Sequence, residues 1–96
     1  MRKGYTYILL CSDGNFYTGS TNNLERRIYE HNSGKGARFT KGRLPVKLIY
    51  FEEYDDVKLA FHREKQIQGW SRKKKQALIK SESKLLPRLS KKKFNK

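Results

Sequence analysis

The stretch YTYILLCSDGNFYTGSTNNLERRIYEHN, residues 5–32, decides the fold of this chain. Two runs of strand-forming residues lie on either side of Ser12-Asp13-Gly14, which is a typical turn sequence. This pattern predicts a β-hairpin with strands over residues 4–12 and 15–21. The more polar segment that follows predicts a helix over residues 22–33.

The length of the turn decides which face of the hairpin each tyrosine occupies. A two-residue turn at Asp13-Gly14 would place Tyr7 and Tyr17 on opposite faces, because a shift of one residue in register turns every side chain over. A three-residue loop with Gly14 in the left-handed conformation pairs Tyr7 with Gly19 and places both tyrosines on one face. We favour the three-residue loop, since glycine adopts positive φ readily and since a shared site would need both tyrosines on one face.

The helix that follows the hairpin has boundary signals at both ends. Asn22 is the candidate N-cap, Glu25 follows three residues later as in a capping box, and Gly34 is the candidate stop. Arg27 and His31 are four residues apart. A helix therefore places them on one face, one above the other.

The second half of the chain predicts one further strand and two further helices. Residues 46–54 form a nearly continuous apolar run, which predicts a strand that is central or well covered. Asp55 or Asp56 can cap a helix that runs to about Gln68. A third helix is predicted over residues 71–80.

The length and composition of the chain are those of one small domain. Its 96 residues, of which 35% are hydrophobic, permit a single compact core. We expect residues 1–80 to form an α/β domain of the α+β type, with a small three-stranded, mainly antiparallel sheet flanked by helices. Residues 81–96 contain a lysine run and little apolar content, which predicts a basic, disordered C-terminal tail.

The charge of the chain points to a polyanion as its partner. The formal net charge is +14, and residues 71–96 hold 11 of the 23 lysines and arginines but only one acidic residue. A field of this sign favours nucleic acid, with a membrane surface or ribosomal RNA as lesser options and a solubilising tail as the bland alternative. The sequence shows no apolar run of transmembrane length, and its first residues lead us to expect no signal peptide. The single cysteine, Cys11, fits a reducing compartment, so we expect a cytoplasmic protein.

Seven basic side chains are candidates for contacts with a phosphate backbone. Residues 34–45 are Gly-rich and predict an exposed basic loop with Phe39 inside it, and the helix over residues 71–80 opens with a second basic run. Lysine and arginine would contact phosphates, and the aromatic ring would stack on a base. The alternative is a solvated run of charge, which is common on protein surfaces. The candidates are Lys35, Arg38, Lys41, Arg43, Arg72, Lys73 and Lys74.

Glu64 lies among the core-facing positions of the second predicted helix. The stripe with helical spacing consists of Val57, Ala60, Phe61, Glu64, Ile67 and Gln68. A buried carboxylate without a partner is costly, so Glu64 should meet a cation or several hydrogen-bond donors. One interpretation is a salt bridge to Arg63, Lys65 or a neighbouring helix. The other is a ligand for a hard divalent cation.

Two aromatic triplets, Tyr5-Thr6-Tyr7 and Tyr17-Thr18-Gly19, are followed by Arg27 and His31 on the first helix and by Glu64 on the second. This ordered set resembles the motifs of the GIY-YIG nucleases. The resemblance covers most of the chain, and the segment HREKQIQGWSRKKKQALI is similar to the end of the small, single-domain members. The chain departs from the pattern in the first two residues of the first triplet, where the family has Gly and Ile. It departs again at Thr18, where the family has Ile.

The resemblance implies a metal-dependent endonuclease that hydrolyses DNA phosphodiester bonds. The narrower expectation is a repair or recombination type that acts on branched or distorted DNA. Glu64 would hold Mg²⁺ or Mn²⁺, and Arg27 would bind the scissile phosphate. Tyr17 would act as the general base or position the water, and nearby positive charge would have to lower its pKa from about 10. Tyr7 and His31 would assist through hydrogen bonds, with His31 a second candidate base.

Two other functions are compatible with the sequence. A non-catalytic nucleic-acid-binding module would keep the same fold and charge, and a ribosome- or RNA-associated protein would depend on the basic C-terminal segment. For the nuclease we expect a monomer with DNA as its partner and RNA as the alternative, no membrane, and the option of a protein partner that confers specificity.

Overall fold

The computed structural model describes the backbone of residues 3–83 and the side chains of residues 3–80. Its elements, in chain order, are β1 (Gly4–Leu10), β2 (Phe16–Thr21), α1 (Leu24–Asn32), α2 (Arg38–Lys41), β3 (Lys47–Tyr54), α3 (Val57–Gln68) and α4 (Arg72–Ser83). The last helix continues past its predicted end at residue 80, and the rest of the predicted tail, residues 84–96, lies outside the described residues. None of the helices in this described part has the length and apolar content needed to cross a bilayer.

The sheet has the strand order β2-β1-β3 with both pairs antiparallel, which confirms the predicted three-stranded α+β architecture. β1 is the central strand, and β3 lies at an edge of the sheet within the described residues. The apolar run of β3 therefore reflects cover on both faces rather than a central position. Ile49 and Tyr50 pack in one core cluster, and Leu48 and Phe51 pack in the other.

The hairpin has the register that the three-residue loop predicts. Tyr7 pairs with Gly19 across the two strands. Gly14 has a φ of 87°, and its N–H donates to Cys11 O over 2.9 Å. Tyr7 and Tyr17 consequently lie on the same face of the sheet, with ring centroids 6.4 Å apart.

Helices cover the two faces of the sheet. α1 packs Ile28 against the core cluster that contains Tyr7. On the other face, Ile67 of α3 packs with Ile8 and Tyr50 in the second cluster. Consecutive residues of β1 thus point into different cores, as the two-residue period of a strand requires.

α3 lies directly against the start of β1. Thr6 Oγ1 donates to Ala60 O over 2.7 Å, and a Cβ atom on Gly4 would come within 2.4 Å of Val57 Cα. The side chain of Asp56 caps the helix, as one of the two predicted caps. These contacts fix the height and direction of α3 on the sheet.

The predicted core stripe of α3 is confirmed at three positions and wrong at two. Ala60, Glu64 and Ile67 are buried, whereas Phe61 is 49% exposed and Gln68 is also exposed. α3 meets the sheet along a narrow strip, so a residue displaced by one position from that strip faces outward. Lys65 Nζ lies 4.9 Å from the centroid of the Phe61 ring and shields part of it.

The N-terminus of α1 differs from its prediction by one residue. Asn23 rather than Asn22 caps the helix and accepts from Arg26 N–H over 3.1 Å. The side chain of Asn22 instead accepts from the Arg26 guanidinium over 3.2 Å. Glu25 is then the second helical residue, so the predicted capping box does not form. Gly34 ends the helix as predicted, with a φ of 83°.

The segment predicted as an exposed loop, residues 34–45, contains the short helix α2. Its buried side chain is Thr40, whose hydroxyl donates to Ala37 O over 2.9 Å. The prediction of an exposed loop is therefore wrong at this position. Hydrophobic periodicity is the main signal of a buried helix in a sequence, and a buried threonine does not contribute to it.

Candidate active site

Side chains from both faces of the sheet meet at the edge strand β2. Tyr7, Tyr17, Arg27 and His31 belong to the α1 face, and Glu64 belongs to α3 on the other face. Glu64 and Arg27 both influence the pKa of Tyr17, in opposite directions. The fold therefore gathers the five side chains that the sequence motifs single out.

Gly19 makes room for the Tyr7 hydroxyl. A Cβ atom at Gly19 would lie 2.5 Å from Tyr7 Oη and 3.0 Å from Tyr17 Cε2. Contacts this short are not tolerated between non-bonded atoms, so a side chain here would displace the phenol. The glycine of the second triplet is thus a packing requirement of the site.

Tyr7 and His31 belong to a chain of hydrogen bonds that runs into α2. Tyr7 Oη lies 3.0 Å from His31 Nε2, and His31 Nδ1 lies 2.9 Å from Thr40 Oγ1. The Thr40 hydroxyl already donates its hydrogen to Ala37 O. Its oxygen must therefore accept from His31 Nδ1–H, which leaves Nε2 as the acceptor for the Tyr7 hydroxyl.

Burial sets the protonation states in this chain. His31 is fully buried, and burial together with the Arg27 charge lowers its pKa to about 4. Burial and the neighbouring Tyr17 raise the pKa of Tyr7 to about 12, against the opposing effect of Arg27. Near neutral pH the imidazole is therefore neutral and the phenol is protonated, which matches the directions of the hydrogen bonds.

Arg27 is partly buried and carries an ion pair on α1. Its Nη1 donates to Glu30 Oε1 over 3.0 Å. This ion pair gives Arg27 a structural role that needs no catalysis. It occupies one nitrogen of a planar group that has five N–H donors, so Arg27 keeps donors for an anion beside Tyr7 and Tyr17.

Tyr17 has aromatic neighbours on several sides. Its ring centroid lies 5.2 Å from that of His31 and 6.0 Å from that of Phe39, with which it stacks. Burial and then Glu64 raise the pKa of Tyr17, and Arg27 lowers it. The net effect is upward, so Arg27 alone does not provide the lowered pKa that a general base at neutral pH would need.

Glu64 is held by neutral donors rather than by a close cation. The residue is 8% exposed. Ser20 Oγ donates to Glu64 Oε1 over 2.5 Å, and Gln68 Nε2 donates to Oε2 over 2.7 Å. Lys65 Nζ approaches Oε2 only to 3.9 Å, and Arg63 bonds to Glu52 instead. The predicted salt bridge from Glu64 to Arg63 is thus absent, and the one to Lys65 is long.

The donor set at Glu64 fits a hard cation that keeps most of its water. A carboxylate with little compensating charge attracts a divalent ion, and Mg²⁺ binds through one or two carboxylates plus water and phosphate oxygens. Within the described residues no group of three or more His, Cys, Asp or Glu side chains forms a metal cluster. A single carboxylate of this kind could hold a divalent ion only if the ion keeps water or takes ligand oxygens for its remaining positions.

Sequence patterns missed three side chains that support the site. Gln68 was detectable in principle, because it lies four residues after Glu64 on one helix face. Ser20 and Thr40 reach Glu64 and His31 only through the tertiary fold. Neither belongs to a periodic pattern that a single sequence reveals.

Two of the predicted phosphate contacts are engaged within the fold. Arg43 Nε lies 2.9 Å from Asp13 Oδ2, and the guanidinium stacks 4.0 Å from the centroid of the Phe39 ring. Arg72 stacks 4.1 Å from the centroid of the Phe16 ring and donates to a carbonyl of the hairpin turn. Both guanidinium groups thus cover aromatic rings at one end of β2.

The other predicted phosphate contacts are more accessible. Lys74 Nζ lies 4.3 Å from the Trp70 ring, where it makes a cation–π contact. Four further side chains belong to exposed residues without an ion pair to any described residue. They are Lys35, Arg38, Lys41 and Lys73.

Comparisons with known proteins place similar chains in one family. A family model of the GIY-YIG catalytic domain matches residues 3–77. A UPF0213 protein of Syntrophus aciditrophicus is 53% identical over 81 residues, which cover 83% of this chain and 93% of the relative. A UPF0213 protein of Clostridium perfringens is 52% identical over 79 residues, covering 82% and 85%.

Solved structures support the same assignment. The solution NMR structure of a UPF0213 protein from Bacillus halodurans is 40% identical, with a TM-score of 0.57 over 84% of this chain and 86% of the other. The solution NMR structure of a protein from E. faecalis is 38% identical, with the same TM-score and coverage. From the match over most of its length, this chain belongs to the GIY-YIG family.

Proposed function

We propose that this chain is a divalent-metal-dependent endonuclease that hydrolyses phosphodiester bonds in DNA. The supporting observation is that a buried carboxylate, a guanidinium and a partly buried phenol meet at the sheet edge, from Glu64, Arg27 and Tyr17. Such a reaction needs a metal ligand, a cation for the phosphate and a group that orients water. Membership of a nuclease-type family supports the same class of reaction.

Each charged residue has a role that its position favours. Glu64 would hold Mg²⁺ or Mn²⁺, which when bound polarises phosphate oxygens and stabilises the leaving oxygen. Arg27 would donate to the non-bridging oxygens of the scissile phosphate through the N–H groups that Glu30 leaves available. The residues thus bring positive charge to the place where negative charge develops.

The two tyrosines have different tasks in this proposal. Tyr17 is the more accessible of the two and would orient the attacking water and accept its proton. Charge compensation at Glu64 removes one of the two effects that raise its pKa. Tyr7 would accept a hydrogen bond from Arg27 or from a water molecule through its oxygen, while its own hydrogen stays on the bond to His31.

His31 is a positioning residue in this proposal rather than the second base. It is fully buried, and a pKa of about 4 makes it a weak proton acceptor near neutral pH. Its bonds to Tyr7 and Thr40 fix the phenol in place.

We propose branched or distorted DNA as the substrate, in repair or recombination, with the exposed basic side chains contacting its phosphates. Residues 1–80 would be the catalytic domain, and the basic segment 81–96 would add non-specific affinity. We further propose a monomer that acts in the cytoplasm, with a protein partner that adds specificity. The lone, buried Cys11 is compatible with a reducing compartment.

A cleavage assay tests the proposal. Labelled single-stranded, duplex and branched DNA would be incubated with wild type and with Glu64→Gln, in Mg²⁺, in Mn²⁺ and in EDTA. Glu53→Gln is the matched control, because the Glu53 and Glu64 side chains are 10% and 11% exposed. We expect metal-dependent cutting that falls on the order of 100-fold in Glu64→Gln and is retained in Glu53→Gln.

Three results would contradict the nuclease or the role of Glu64 in it. Binding of every DNA without cutting would favour the non-catalytic binding module. Cutting that survives unchanged in a folded Glu64→Gln variant would remove Glu64 from the active site. Loss of folding in Glu64→Gln alone, with Glu53→Gln folded, would make Glu64 a structural residue.

A further inference from the structure

A cleft lies along the free edge of β2, beside the candidate active site. It has a volume of about 190 Å³ and is lined by Phe16, Tyr17, Thr18, Phe39, Gln68 and Lys75. Sites for complete small-molecule ligands are larger, roughly 300–1,000 Å³. A cleft of this size suits one flat ring system rather than a whole cofactor.

Aromatic rings with positive charge behind them form its walls. Tyr17 and Phe39 are stacked, with ring centroids 6.0 Å apart and planes inclined by 26°. The guanidinium of Arg43 lies 4.0 Å from the Phe39 centroid, and that of Arg72 lies 4.1 Å from the Phe16 centroid. Aromatic side chains and guanidinium planes are the groups on which unpaired nucleobases stack.

Two polar atoms of the lining lack partners. Thr18 is 4% exposed, and its buried Oγ1 has no hydrogen bond to any described residue. Gln68 Nε2 donates to Thr18 O and to Glu64, whereas its Oε1 accepts no hydrogen bond in the described part of the chain. A buried hydroxyl without a partner is costly, so a ligand that bonds to it gains affinity. Thr18 occupies the middle position of the second triplet, where the family has an isoleucine and therefore no hydroxyl.

The cleft and the candidate metal ligand are neighbours on one strand. Thr18 and Ser20 point to the same face of β2, about 6.8 Å apart along the strand. Ser20 donates to Glu64 over 2.5 Å. A ring in the cleft would therefore belong to a nucleotide next to the phosphate at the active site. A base inside a duplex has both faces stacked and its Watson–Crick edge paired, so a base that stacks in the cleft must be unpaired.

We propose that this cleft binds one unpaired nucleobase of the substrate strand, through stacking on its aromatic walls and hydrogen bonds to Thr18 Oγ1 and Gln68 Oε1. Lys75 would contact a phosphate of the same strand. The placement beside the scissile phosphate rests on the proposed nuclease function, whereas the binding of the base does not. The substrate class is nucleic acid with an unpaired base at the cleavage point.

Fluorescence anisotropy with the full chain in EDTA tests this inference without catalysis. Three labelled duplexes would be compared: one fully paired, one with a single-nucleotide bulge, and one with the same bulge lacking its base. We expect the bulge with its base to bind roughly 5- to 150-fold more tightly than the abasic bulge, which corresponds to stacking of one base. Equal affinity for the two bulges would overturn the inference.

Variants assign the effect to the cleft. Phe39→Ala and Thr18→Val should each reduce the preference for the base and leave affinity for the abasic bulge unchanged. Phe61→Ala is the control, because Phe61 is also an exposed ring under a cation and lies outside the cleft. Thr18→Val keeps the shape of the side chain, so it remains informative if Phe39→Ala fails to fold. An unchanged preference in Thr18→Val and Phe39→Ala overturns the site.

Two further measurements test whether the base is bound as part of a strand and whether its binding is independent of cleavage. Free mononucleotides should compete weakly with the bulged strand, and competition as strong as that of the strand would overturn a strand-bound base. Base-dependent binding with no cutting in Mg²⁺ or Mn²⁺ would contradict the nuclease and support the cleft. Cutting with equal affinity for both bulges would support the nuclease and contradict the cleft.

Discussion

At the scale of the residue, the arrangement of the site depends on residues that have no direct role in the proposed reaction. Gly19 carries no side chain, yet its Cα hydrogen faces the Tyr7 hydroxyl at a distance where a methyl group does not fit. Thr40 is fully buried, yet its oxygen fixes the tautomer of His31 and hence the direction of the Tyr7 hydrogen bond. Gly19 and Thr40 thus determine the orientation of the Tyr7 and His31 side chains.

Gly19→Ala is expected to displace the Tyr7 phenol. The added Cβ would lie 2.5 Å from Tyr7 Oη, so we expect a loss of about 1–3 kcal/mol in the free energy of unfolding. Cleavage should fall on the order of 100-fold, because the reacting groups lose their alignment. Urea unfolding and the cleavage assay measure the two effects. Gly42→Ala is the control, since a Cβ there meets nothing within 4 Å. Equal effects of the two substitutions would contradict this account.

His31 should make the stability of the fold depend on pH. Its pKa is about 4 in the folded state and 6.5 without the fold. Between these values the unfolded chain binds more protons, so lowering the pH through this window destabilises the protein, by about 3 kcal/mol in total. Urea unfolding above and within the window measures this loss. His31→Gln should remove that component, and His62→Gln, at an exposed position, should leave it in place.

At the scale of the element, helix ends place the reactive side chains. The cap at Asn23 fixes where α1 begins, and the turn at Gly34 fixes where it ends, so that Arg27 and His31 face β1 and β2. The cap at Asp56 and the contact of Val57 with Gly4 set α3 so that Glu64 reaches Ser20.

The two adjacent asparagines before α1 should differ in their effect on stability. Asn23→Ala removes the bond to Arg26 N–H and should cost about 1 kcal/mol in the free energy of unfolding. Asn22→Ala removes only an exposed side-chain bond and should change stability by less than about 0.5 kcal/mol. Chemical denaturation of both variants measures the difference. A larger loss of stability in Asn22→Ala than in Asn23→Ala would indicate that Asn22 is the N-cap.

At the scale of the whole molecule, the proposed function assigns affinity to the net charge and chemistry to the small site. The net charge of +14 gives a long-range attraction for nucleic acid that does not depend on sequence. In the proposed function, the mostly aromatic cleft and the carboxylate of Glu64 would act at one point of the bound strand. Specificity and affinity would then come from different parts of the surface.

The exposed lysines should differ in their contribution to binding. Lys73 lies on the basic run that opens α4, near the cleft, and has no ion pair within the described residues. Lys73→Ala should reduce the slope of log K against log salt by about 0.9, as expected for one lost phosphate contact. Lys58→Ala, at an exposed position of α3, should leave the slope unchanged. A titration of DNA affinity against salt measures both, and equal slopes for the two variants would place the binding surface elsewhere.

The sequence by itself determined the parts of this protein that depend on short-range interactions. The register of the hairpin follows from a three-residue loop that ends in Gly14, and the spacing of Arg27 and His31 follows from the helical period. The cap at Asp56 and the helical break after Gln68 are likewise local. Turn chemistry and periodicity act within a few residues, so they can be detected in one sequence.

Only the tertiary structure decided which residues surround the reactive groups. Ser20 approaches Glu64 across 44 positions of sequence, and Phe61 is exposed although the helical pattern placed it in the core. The burial of Thr40 beneath His31 was hidden within an apparently exposed loop. Contacts between distant residues depend on how helices pack on the sheet, and packing is set by the shapes of all the side chains at once rather than by any local period.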